Sequence, residues 1–463
     1  MTDKGNARRL ILKHGKHLRY LKARDLWLVW NGKHWAPDET GEVVRLAKQV
    51  IADLAEEARS ASDGEESAPV RKWQRRCETP ARISAMLDWA KTEPGINVLP
   101  DQLNADPWKF NCRNGTVDLR TGQLHPHNSE DLHSKLADND YDPKAQCSVF
   151  LKFLQRISNE DATWVNYVQR IFGYALTGDT REQCFFFSTG GGENGKSTLI
   201  STLLHIAGPY GKTSAPEVFL KRNYATHPTE VADIQGCRVI VTPEVEQGRA
   251  LNEALLKQLS GGDKIKARYL FHDFFEFTPT AKVILSANTL PEIRGADHGI
   301  WRRVRVIPFD VTISAEEKDP QLLDKLKAEA PGILAWAVQG CLAWQQRRLS
   351  PPDRILRATA EYRETMDIVG RFLTDACERH PKGRESAADL FQAFECWCAA
   401  NGEAVLTQKD FGSRLLNHGL RGLKSNGRTV RVGVRLKGRA PGEGRDDGEG
   451  LPIRSSDCHP ECC

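Results

Sequence analysis

The chain has 463 residues, more than a single hydrophobic core usually serves, so its length predicts about three domains. Its 65 Lys and Arg residues against 61 Asp and Glu residues leave a net charge of only +4, which excludes a global positive field as the basis of nucleic-acid binding. No apolar run approaches the roughly 20 residues that span a bilayer, and the polar start of the chain does not resemble a secretory signal, so we expect a cytoplasmic protein.

The 12 cysteines are mostly single residues in apolar surroundings, which favours buried side chains in a reducing compartment over a disulfide framework. One group near the C-terminus contains four potential metal ligands: Cys458, His459, Cys462 and Cys463. Because this group follows a stretch rich in Gly, Asp and Arg, we prefer a frayed tail over a metal site there.

The first part of the chain, residues 1–145, predicts an α+β accessory domain. Aromatic and β-branched residues around an Asn-Gly pair are a strong hairpin signal, and apolar residues spaced with a helical period indicate helices. The expected elements are a hairpin at Asn31-Gly32, a helix at residues 41–59, a polar loop at residues 60–67, a helix at residues 81–91 and a second hairpin at Asn114-Gly115.

A pair of carboxylates in this domain, Asp138 and Asp140, invites comparison with a polymerase or primase site, where two acids on one strand hold catalytic metals. The flanking residues are polar and typical of a turn, so no apolar strand aims the two side chains. We therefore prefer solvated loop acids to a priming site.

Residues 146–350 predict a motor domain built around one glycine-rich stretch. Residues 190–197 follow the apolar run 184–187 and precede a helical pattern, the strand, loop and helix context of a P-loop. Glycines let successive backbone N–H groups converge on phosphate oxygens, and the positive end of the helix dipole adds to this anion site. The alternative, a glycine-rich turn with a chance Gly-Lys-Ser, does not explain that context.

The P-loop side chains indicate ATP and Mg as cofactors. Lys196 would reach the β- and γ-phosphates, and the Ser197 hydroxyl, backed by Thr198, would coordinate Mg. The predicted cofactor-binding residues are Gly190, Gly192, Asn194, Gly195, Lys196, Ser197 and Thr198.

Two further β-branched or apolar runs in the motor end in polar residues. Residues 237–242 lead into Glu244 and Glu246, which lie two apart and so share one face of an extended segment. One acid would organise Mg, with Glu244 the predicted metal ligand, and one would polarise water, although the pattern does not divide these roles. The alternative for Glu244 and Glu246 is a pair of solvated loop acids. Residues 282–287 lead into Asn288, which is placed to sense the γ-phosphate.

Residues 263–277 mix cations with aromatics in an alternating pattern that predicts a β-hairpin. Cations follow phosphates while rings stack on bases, so this segment suits sequence-tolerant binding of single-stranded DNA. The predicted DNA-binding residues are Lys264, Lys266, Arg268, Phe271 and His272. The alternative is a structural hairpin, and for Phe275 and Phe277 we prefer a core position.

After the motor strands, Arg302 and Arg303 precede the strand-like run 304–309. A fixed guanidinium here would stabilise phosphoryl-transfer charge in a neighbouring subunit, whereas surface arginines are the alternative.

Residues 351–437 then predict two helices, at 386–401 and 407–418, followed by short strands that turn at Asn426-Gly427, a pattern typical of a winged helix. Its cations would contact duplex DNA or, equally well supported, only protein. Residues 438–463 predict disorder.

These motifs, in this order, resemble superfamily three helicases of the phage, plasmid and poxvirus-type primase-helicase group. The resemblance rests on G-G-E-N-G-K-S, V-T-P-E-V-E, G-G-D-K-I-K-A-R, S-A-N-T-L-P and W-R-R-V-R-V-I-P-F, and extends to N-G-T-V-D-L-R-T-G in the N-terminal domain. It implies an α/β P-loop NTPase motor of AAA+ type, assembled as a hexameric ring with one hairpin per subunit in the DNA channel. It also implies Arg303 as arginine finger and His272 as hairpin tip.

The resemblance implies an ATP-dependent DNA helicase that acts on single-stranded and forked DNA in replication of a phage, plasmid or other mobile element. Many relatives carry a primase domain before this region, and this sequence has no room for one, which argues against a fused priming activity. A separate primase or other replication proteins are therefore the partners we expect. The alternative function is an ATP-gated DNA-binding factor that loads other replication proteins without unwinding.

Overall fold

A computed structural model describes residues 2–60, 64–222, 228–245, 248–293, 298–425 and 427–438. The predicted terminal Cys and His group, and all of the predicted tail except Gly438, lie outside these residues. Within the described ranges, no helix combines the length and apolar character needed to cross a bilayer.

The N-terminal region combines four helices with a small sheet. Its elements are α1 (Asp3–His14), β1 (Leu18–Leu21), β2 (Leu26–Trp30), β3 (Trp35–Pro37), α2 (Glu42–Ser60), α3 (Gly64–Cys77), α4 (Pro80–Ala90) and β4 (Asn97–Val98). The strand order is β3-β2-β1-β4. The hairpin predicted at Asn31-Gly32 is confirmed: the Asn31 side chain accepts hydrogen bonds from two backbone amides of the turn, and Gly32 has a φ of 90°.

One prediction in this region is partly wrong. Residues 60–67 are not wholly a loop, because α3 begins at Gly64. Helix α3 packs Val70 and Trp73 against the core that α1, α2 and α4 share with the sheet. Tertiary packing of its second half therefore overrides the polar composition of its first turn.

A three-stranded antiparallel sheet follows, made of β5 (Lys109–Cys112), β6 (Gly115–Asp118) and β7 (Gln123–His125). Its buried side chains, such as Phe110 and Val117, belong to the same hydrophobic core as the motor helices, and the Phe110 ring lies 4.9 Å from that of Tyr210. The predicted domain boundary at residue 145 therefore falls inside one continuous core. The change of core occurs between β4 and β5.

The region predicted to be the motor, called the motor below, is a parallel sheet with helices on both faces. Its elements are α5 (Ser148–Ser158), α6 (Ala162–Leu176), β8 (Phe185–Thr189), α7 (Lys196–Ala207), β9 (Gly211–Thr213), α8 (Pro228–Ala232), β10 (Val239–Thr242), α9 (Glu253–Gly261), β11 (Ile265–Arg268), β12 (Phe274–Phe277), β13 (Lys282–Ala287), α10 (His298–Trp301), β14 (Val304–Pro308), α11 (Leu322–Ala328) and α12 (Ala330–Arg347). The five parallel strands are ordered β14-β8-β13-β10-β9.

The apolar run of β8 is buried on both faces. Phe186 points into the core that contains α5, α6 and α12, while Phe185 and Phe187 point into the core on the other side of the sheet. Such a run is expected of a central parallel strand covered by helices on both sides. Its carboxyl end is thereby fixed as the platform of the glycine loop.

The C-terminal region contains α13 (Asp353–Met366), α14 (Ile368–Ala376), β15 (Cys377–Ser386), α15 (Ala387–Asn401), α16 (Gln408–Asn417), β16 (Gly422–Ser425) and β17 (Arg428–Leu436). The two predicted helices are confirmed as α15 and α16, each with a capping hydroxyl, from Ser386 and Thr407. Strand β15 was not predicted; it pairs with β17 in the sheet β15-β17-β16. Helix α13 lies past the predicted boundary at residue 350, yet its Tyr362 is part of the motor core.

Candidate functional site

The glycine loop between β8 and α7 has the curled backbone that the sequence predicts. The φ angles are 96° at Gly192, 49° at Glu193 and 81° at Gly195, all in the left-handed region. Among the described residues, no atom beyond the chain neighbours lies within 4 Å of an ideal Cβ on Gly191 or Gly192, so the outer side of the loop is open to them. The loop therefore offers a concave, unobstructed backbone to an anion.

Two other glycines of the loop are required by packing. A Cβ on Gly190 would lie 2.4 Å from the Phe309 carbonyl oxygen, and one on Gly195 would lie 2.5 Å from Cγ2 of Ile157. The side chain of Asn194 is only 3% exposed; its Nδ2 donates to the Phe309 oxygen at 3.3 Å. Asn194 Oδ1 also accepts from the Lys196 backbone amide, so this predicted cofactor-binding side chain is engaged within the loop itself.

Lys196 is the first residue of α7, and its side chain is turned into the loop with 6% exposure. Its Nζ donates to Asn288 Oδ1 at 2.8 Å, to the Ala287 carbonyl oxygen at 3.3 Å and to the Gly190 carbonyl oxygen at 3.4 Å. Burial lowers the pKa of Lys196, and Glu244 opposes that shift. Within the described residues no carboxylate forms an ion pair with it, so this ammonium is held by neutral oxygens alone.

The predicted catalytic groups converge because their strands are neighbours. Strands β10 and β13 are parallel partners, so Glu244 and Asn288 follow their strands at the same edge of the sheet. The Val245 amide donates to the Ser286 carbonyl oxygen at 2.9 Å and ties the segment after β10 to β13. The side chains of Glu244 and Asn288 are both exposed at this edge of the sheet. Glu246 lies outside the described residues.

These residues fit ATP with Mg. The open backbone of the loop and the Lys196 ammonium suit a polyphosphate, and Ser197 is exposed at the first turn of α7. The Ser197 hydroxyl and the Glu244 carboxylate are oxygen donors of the kind that Mg prefers. Thr198 is half-buried behind them.

A cavity of about 500 Å³ lies among residues that follow Ile157 and Phe309 in the sequence. It is lined by Ser158, Asn159, Asp161, Asp310, Val311 and Arg354. Arg354 joins its two walls, with Nη1 donating to the Ser158 carbonyl oxygen and Nη2 to Asp310 Oδ2, each at 2.9 Å. The walls continue directly from Ile157 and Phe309, which contact the glycine loop. Sequence reasoning missed this cavity because its residues come from three segments that are distant in the sequence.

The predicted hairpin is present as the antiparallel pair β11 and β12. Ile265, Ala267 and Phe277 are buried, as expected for Phe277, while Phe275 is half-buried against the same core. At the tip, Phe271 is 96% exposed with a φ of 61°. The predicted tip residue His272 is also exposed, whereas Lys264 and Lys266 are exposed nearer the strands.

Phe274 is a residue of this hairpin that the sequence analysis missed. Its ring is 50% exposed, with Lys266 Nζ 4.8 Å and the Arg268 guanidinium carbon 4.9 Å from the centroid. An exposed ring between two cations suits stacking on a base while phosphates lie alongside. The signal was available, because a period of two that buries residues 275 and 277 turns residue 274 outward.

Arg303 and Arg302 differ sharply in exposure. Arg303 is 9% exposed, and its Nη1 donates to the Gly299 carbonyl oxygen at 2.7 Å, so its guanidinium is directed into its own chain. Arg302 is exposed. The finger role of Arg303 stays a prediction, and Arg302 is the alternative whose side chain reaches the surface.

The acids considered for priming, Asp138 and Asp140, are engaged by one arginine. Arg113 donates to Asp140 through Nε at 3.1 Å and Nη2 at 3.2 Å, and its Nη1 lies 3.7 Å from Asp138. Across the described ranges, no group of three His, Cys, Asp or Glu side chains could hold a metal ion. The pair is thus an ion-paired loop feature.

Comparison with known families supports a shared ancestry. Residues 7–159 match the family described as "D5 N terminal like", and residues 188–303 match a family of unknown function, DUF5906. A protein of Acanthamoeba polyphaga mimivirus named as a helicase is 26% identical over 327 residues, covering 65% of this chain and 34% of the relative. A Frog virus 3 protein named as a helicase is 27% identical over 294 residues, covering 59% of this chain and 30% of the relative.

A further relative, from African swine fever virus, is named as a primase and is 23% identical over 243 residues, covering 48% of this chain and 25% of the relative. The chain spans about a third of the length of the helicase-named relatives it matches. Among solved structures, the apo C-terminal region of NrS-1 has a TM-score of 0.52 at 10% identity, covering 93% of this chain and 99% of that one, which shows a shared fold. Together, the N-terminal family match and the viral relatives show that the chain is similar to the D5-like primase-helicases.

Proposed function

We propose that this chain is the motor of an ATP-dependent DNA helicase of superfamily three, which serves replication of a phage, plasmid or other mobile element. The observation that carries the proposal is the convergence of three groups at one edge of the sheet. The Lys196 Nζ lies 2.8 Å from Asn288 Oδ1, after β13. Glu244 follows β10, the strand that pairs with β13. This arrangement places a cation, a polar sensor and a carboxylate around the mouth of an open glycine loop.

Each group has a distinct role in the proposed hydrolysis of ATP. The loop amides and Lys196 bind the phosphates, and Asn288, which now holds the ammonium, is positioned to exchange that contact for one with phosphate or water. Ser197 and Glu244 are the residues that would hold Mg, which neutralises phosphate charge when bound. Glu244 or Glu246 polarises the attacking water. The cavity beside Arg354 has room for the nucleoside half of the ligand.

The remaining parts of the proposal concern the DNA and the assembly. The hairpin β11–β12, with Phe271 and Phe274 exposed, is proposed to grip single-stranded DNA inside a hexameric ring. The motor is proposed to be of AAA+ type, which the position of β13 between the P-loop strand and β10 supports. Helices α14 to α16 with the sheet β15-β17-β16 support a winged-helix module.

The test is strand separation by the purified chain on a forked DNA, with Lys196→Ala protein as the matched control. The proposal predicts ATP-dependent unwinding by the wild-type chain, none by the variant, and rings in electron micrographs. ATP hydrolysis with DNA binding but no strand separation would instead support the loading factor. Absence of ATP hydrolysis would refute both functions.

A further inference from the structure

The hairpin by itself carries no net positive charge. Residues 263–277 contain three cations (Lys264, Lys266 and Arg268) and three carboxylates (Asp263, Asp273 and Glu276). Glu276 lies directly opposite Lys266 in the strand register. A surface that follows a phosphate backbone needs an excess of cations, because each phosphate contact replaces condensed counterions. The hairpin therefore supplies rings for stacking but not enough charge.

The missing cations are found on the N-terminal region, in the turn between β1 and β2. Lys22 and Arg24 are both exposed there. The Arg24 guanidinium carbon lies 5.3 Å from the centroid of the Tyr269 ring, which is at the base of the hairpin tip. Tyr269 is fixed in turn, since its ring stacks on Phe275 at 4.9 Å and its hydroxyl donates to Gln235 Oε1 at 2.6 Å.

The carboxylate next to Arg24 does not cancel its charge. Asp25 accepts a hydrogen bond from the Tyr20 hydroxyl, and Lys91 Nζ lies 3.5 Å from its Oδ1. An aromatic ring contacts the flat face of a guanidinium and leaves its N–H donors available. These donors lie in the guanidinium plane, and they are the groups that bind phosphate. Arg24 is thus oriented by a ring and has no ion-pair partner among the described residues.

The N-terminal region is also docked in a defined position. The Trp35 amide donates to the His133 carbonyl oxygen at 2.7 Å, and the Trp35 indole donates to the Ser129 carbonyl oxygen at 2.8 Å. Asn111 Nδ2, on β5, donates to the Lys33 carbonyl oxygen at 3.0 Å. None of these three contacts involves a residue of the hairpin, so they hold the N-terminal region without Tyr269.

We infer that the β1–β2 turn, the hairpin tip and the outward face of the hairpin form one binding surface for single-stranded nucleic acid, with the strand passing around the hairpin from the side that carries Tyr269 to the side that carries Phe274. Lys22 and Arg24 contact phosphates, and Phe274, between Lys266 and Arg268, stacks on a base of the same strand. The N-terminal region thereby becomes part of the DNA grip rather than a separate accessory domain. The inference rests on the proposed function, because it extends the strand-binding surface of that motor.

The test measures binding of a fluorescent oligothymidine by the full chain across a series of salt concentrations. Arg24→Glu is compared with Arg8→Glu, a charge reversal of an exposed arginine on α1 of the same region. We expect Arg24→Glu to weaken binding on the order of tenfold and to reduce the slope of log affinity against log salt by about 0.7 per lost phosphate contact. Arg8→Glu should change neither quantity and should keep basal ATP hydrolysis.

A second variant separates direct contact from support of the hairpin. Tyr269→Leu removes the ring but keeps the Arg24 charge, so the inference predicts weaker binding with most of the salt slope retained. Equal binding by the Arg24 and Arg8 variants overturns the inference, as does weaker binding of Arg24→Glu with an unchanged salt slope. Arg24→Gln provides the same comparison should the charge reversal prevent folding. A wild-type chain that does not bind the oligonucleotide overturns the proposed function as well, which distinguishes the two failures.

Discussion

Substitution of alanine at Gly195 tests whether the glycine loop has the geometry described here. The added Cβ would lie 2.5 Å from Cγ2 of Ile157 and 3.0 Å from Cε2 of Phe153, at a backbone φ of 81°. The left-handed conformation costs an L-residue about 1–2 kcal/mol. Overpacking against two buried side chains adds about 1–3 kcal/mol, so we expect the free energy of unfolding to fall by about 2–5 kcal/mol.

Gly191→Ala is the matched control for this prediction. In the part of the chain that the structure describes, no atom beyond its chain neighbours lies within 4 Å of the ideal Cβ of Gly191, and Gly191 is not among the glycines with positive φ. We expect its free energy of unfolding to stay within about 0.5 kcal/mol of the wild-type value. The assay is urea unfolding followed by tryptophan fluorescence, with ATP affinity measured on the folded proteins. If both variants unfold at the same urea concentration, the packing of Gly195 against α5 is refuted.

Four other perturbations test the site and its surroundings. Lys196→Ala should lower ATP hydrolysis on the order of a hundredfold or more while leaving the fold intact, as checked by circular dichroism. If Arg303 is the arginine finger, Arg303→Ala should lower ATP turnover by about a thousandfold, and mixing the Arg303→Ala and Lys196→Ala proteins should restore some hydrolysis. If hydrolysis recovers only when Arg302→Ala protein is mixed with Lys196→Ala protein, Arg302 is the finger instead. His272→Ala should keep basal ATP hydrolysis but lose its stimulation by DNA and the unwinding of a fork. Burial, together with the nearby Arg238 charge, holds the pKa of Lys282 well below its usual range. Because the unfolded chain then binds more protons at this lysine, the free energy of unfolding should rise with pH up to the ordinary lysine pKa. The Lys282→Met variant should show a weaker dependence of this free energy on pH.

The features that could be predicted from sequence are those whose physical cause is local. The positive φ angles at Gly192 and Gly195 need glycine in that loop, and the capping hydroxyls of Ser386 and Thr407 mark helix starts within three residues of the amides they bind. The alternation in β11 and β12 is equally local. Such features are visible in a single sequence because neighbours along the chain create them.

Apart from Phe274, the features that were missed depend on partners distant in sequence. Strand β15 is polar along most of its length and is a strand because β17 pairs with it. Arg24 looks like any surface cation until the docking of the N-terminal region brings it to Tyr269. Neither position differs in residue type from solvated positions elsewhere in the chain. Composition therefore does not distinguish them.

The place of β5–β7 follows from a buried cation that sequence alone would assign to the surface. Arg238 is 3% exposed just before β10, and its guanidinium donates to the carbonyl oxygens of Leu176 at 2.6 Å and Lys109 at 2.7 Å. Leu176 is the last residue of α6, and Lys109 is the first residue of β5. The single Arg238 side chain therefore joins the motor sheet, a motor helix and the preceding sheet. A buried guanidinium deprived of a hydrogen-bond acceptor pays a large desolvation cost. The segment before residue 145 that contains β5 therefore supplies an acceptor that the Arg238 guanidinium needs, and we expect the five-stranded parallel sheet and β5–β7 to unfold as one unit.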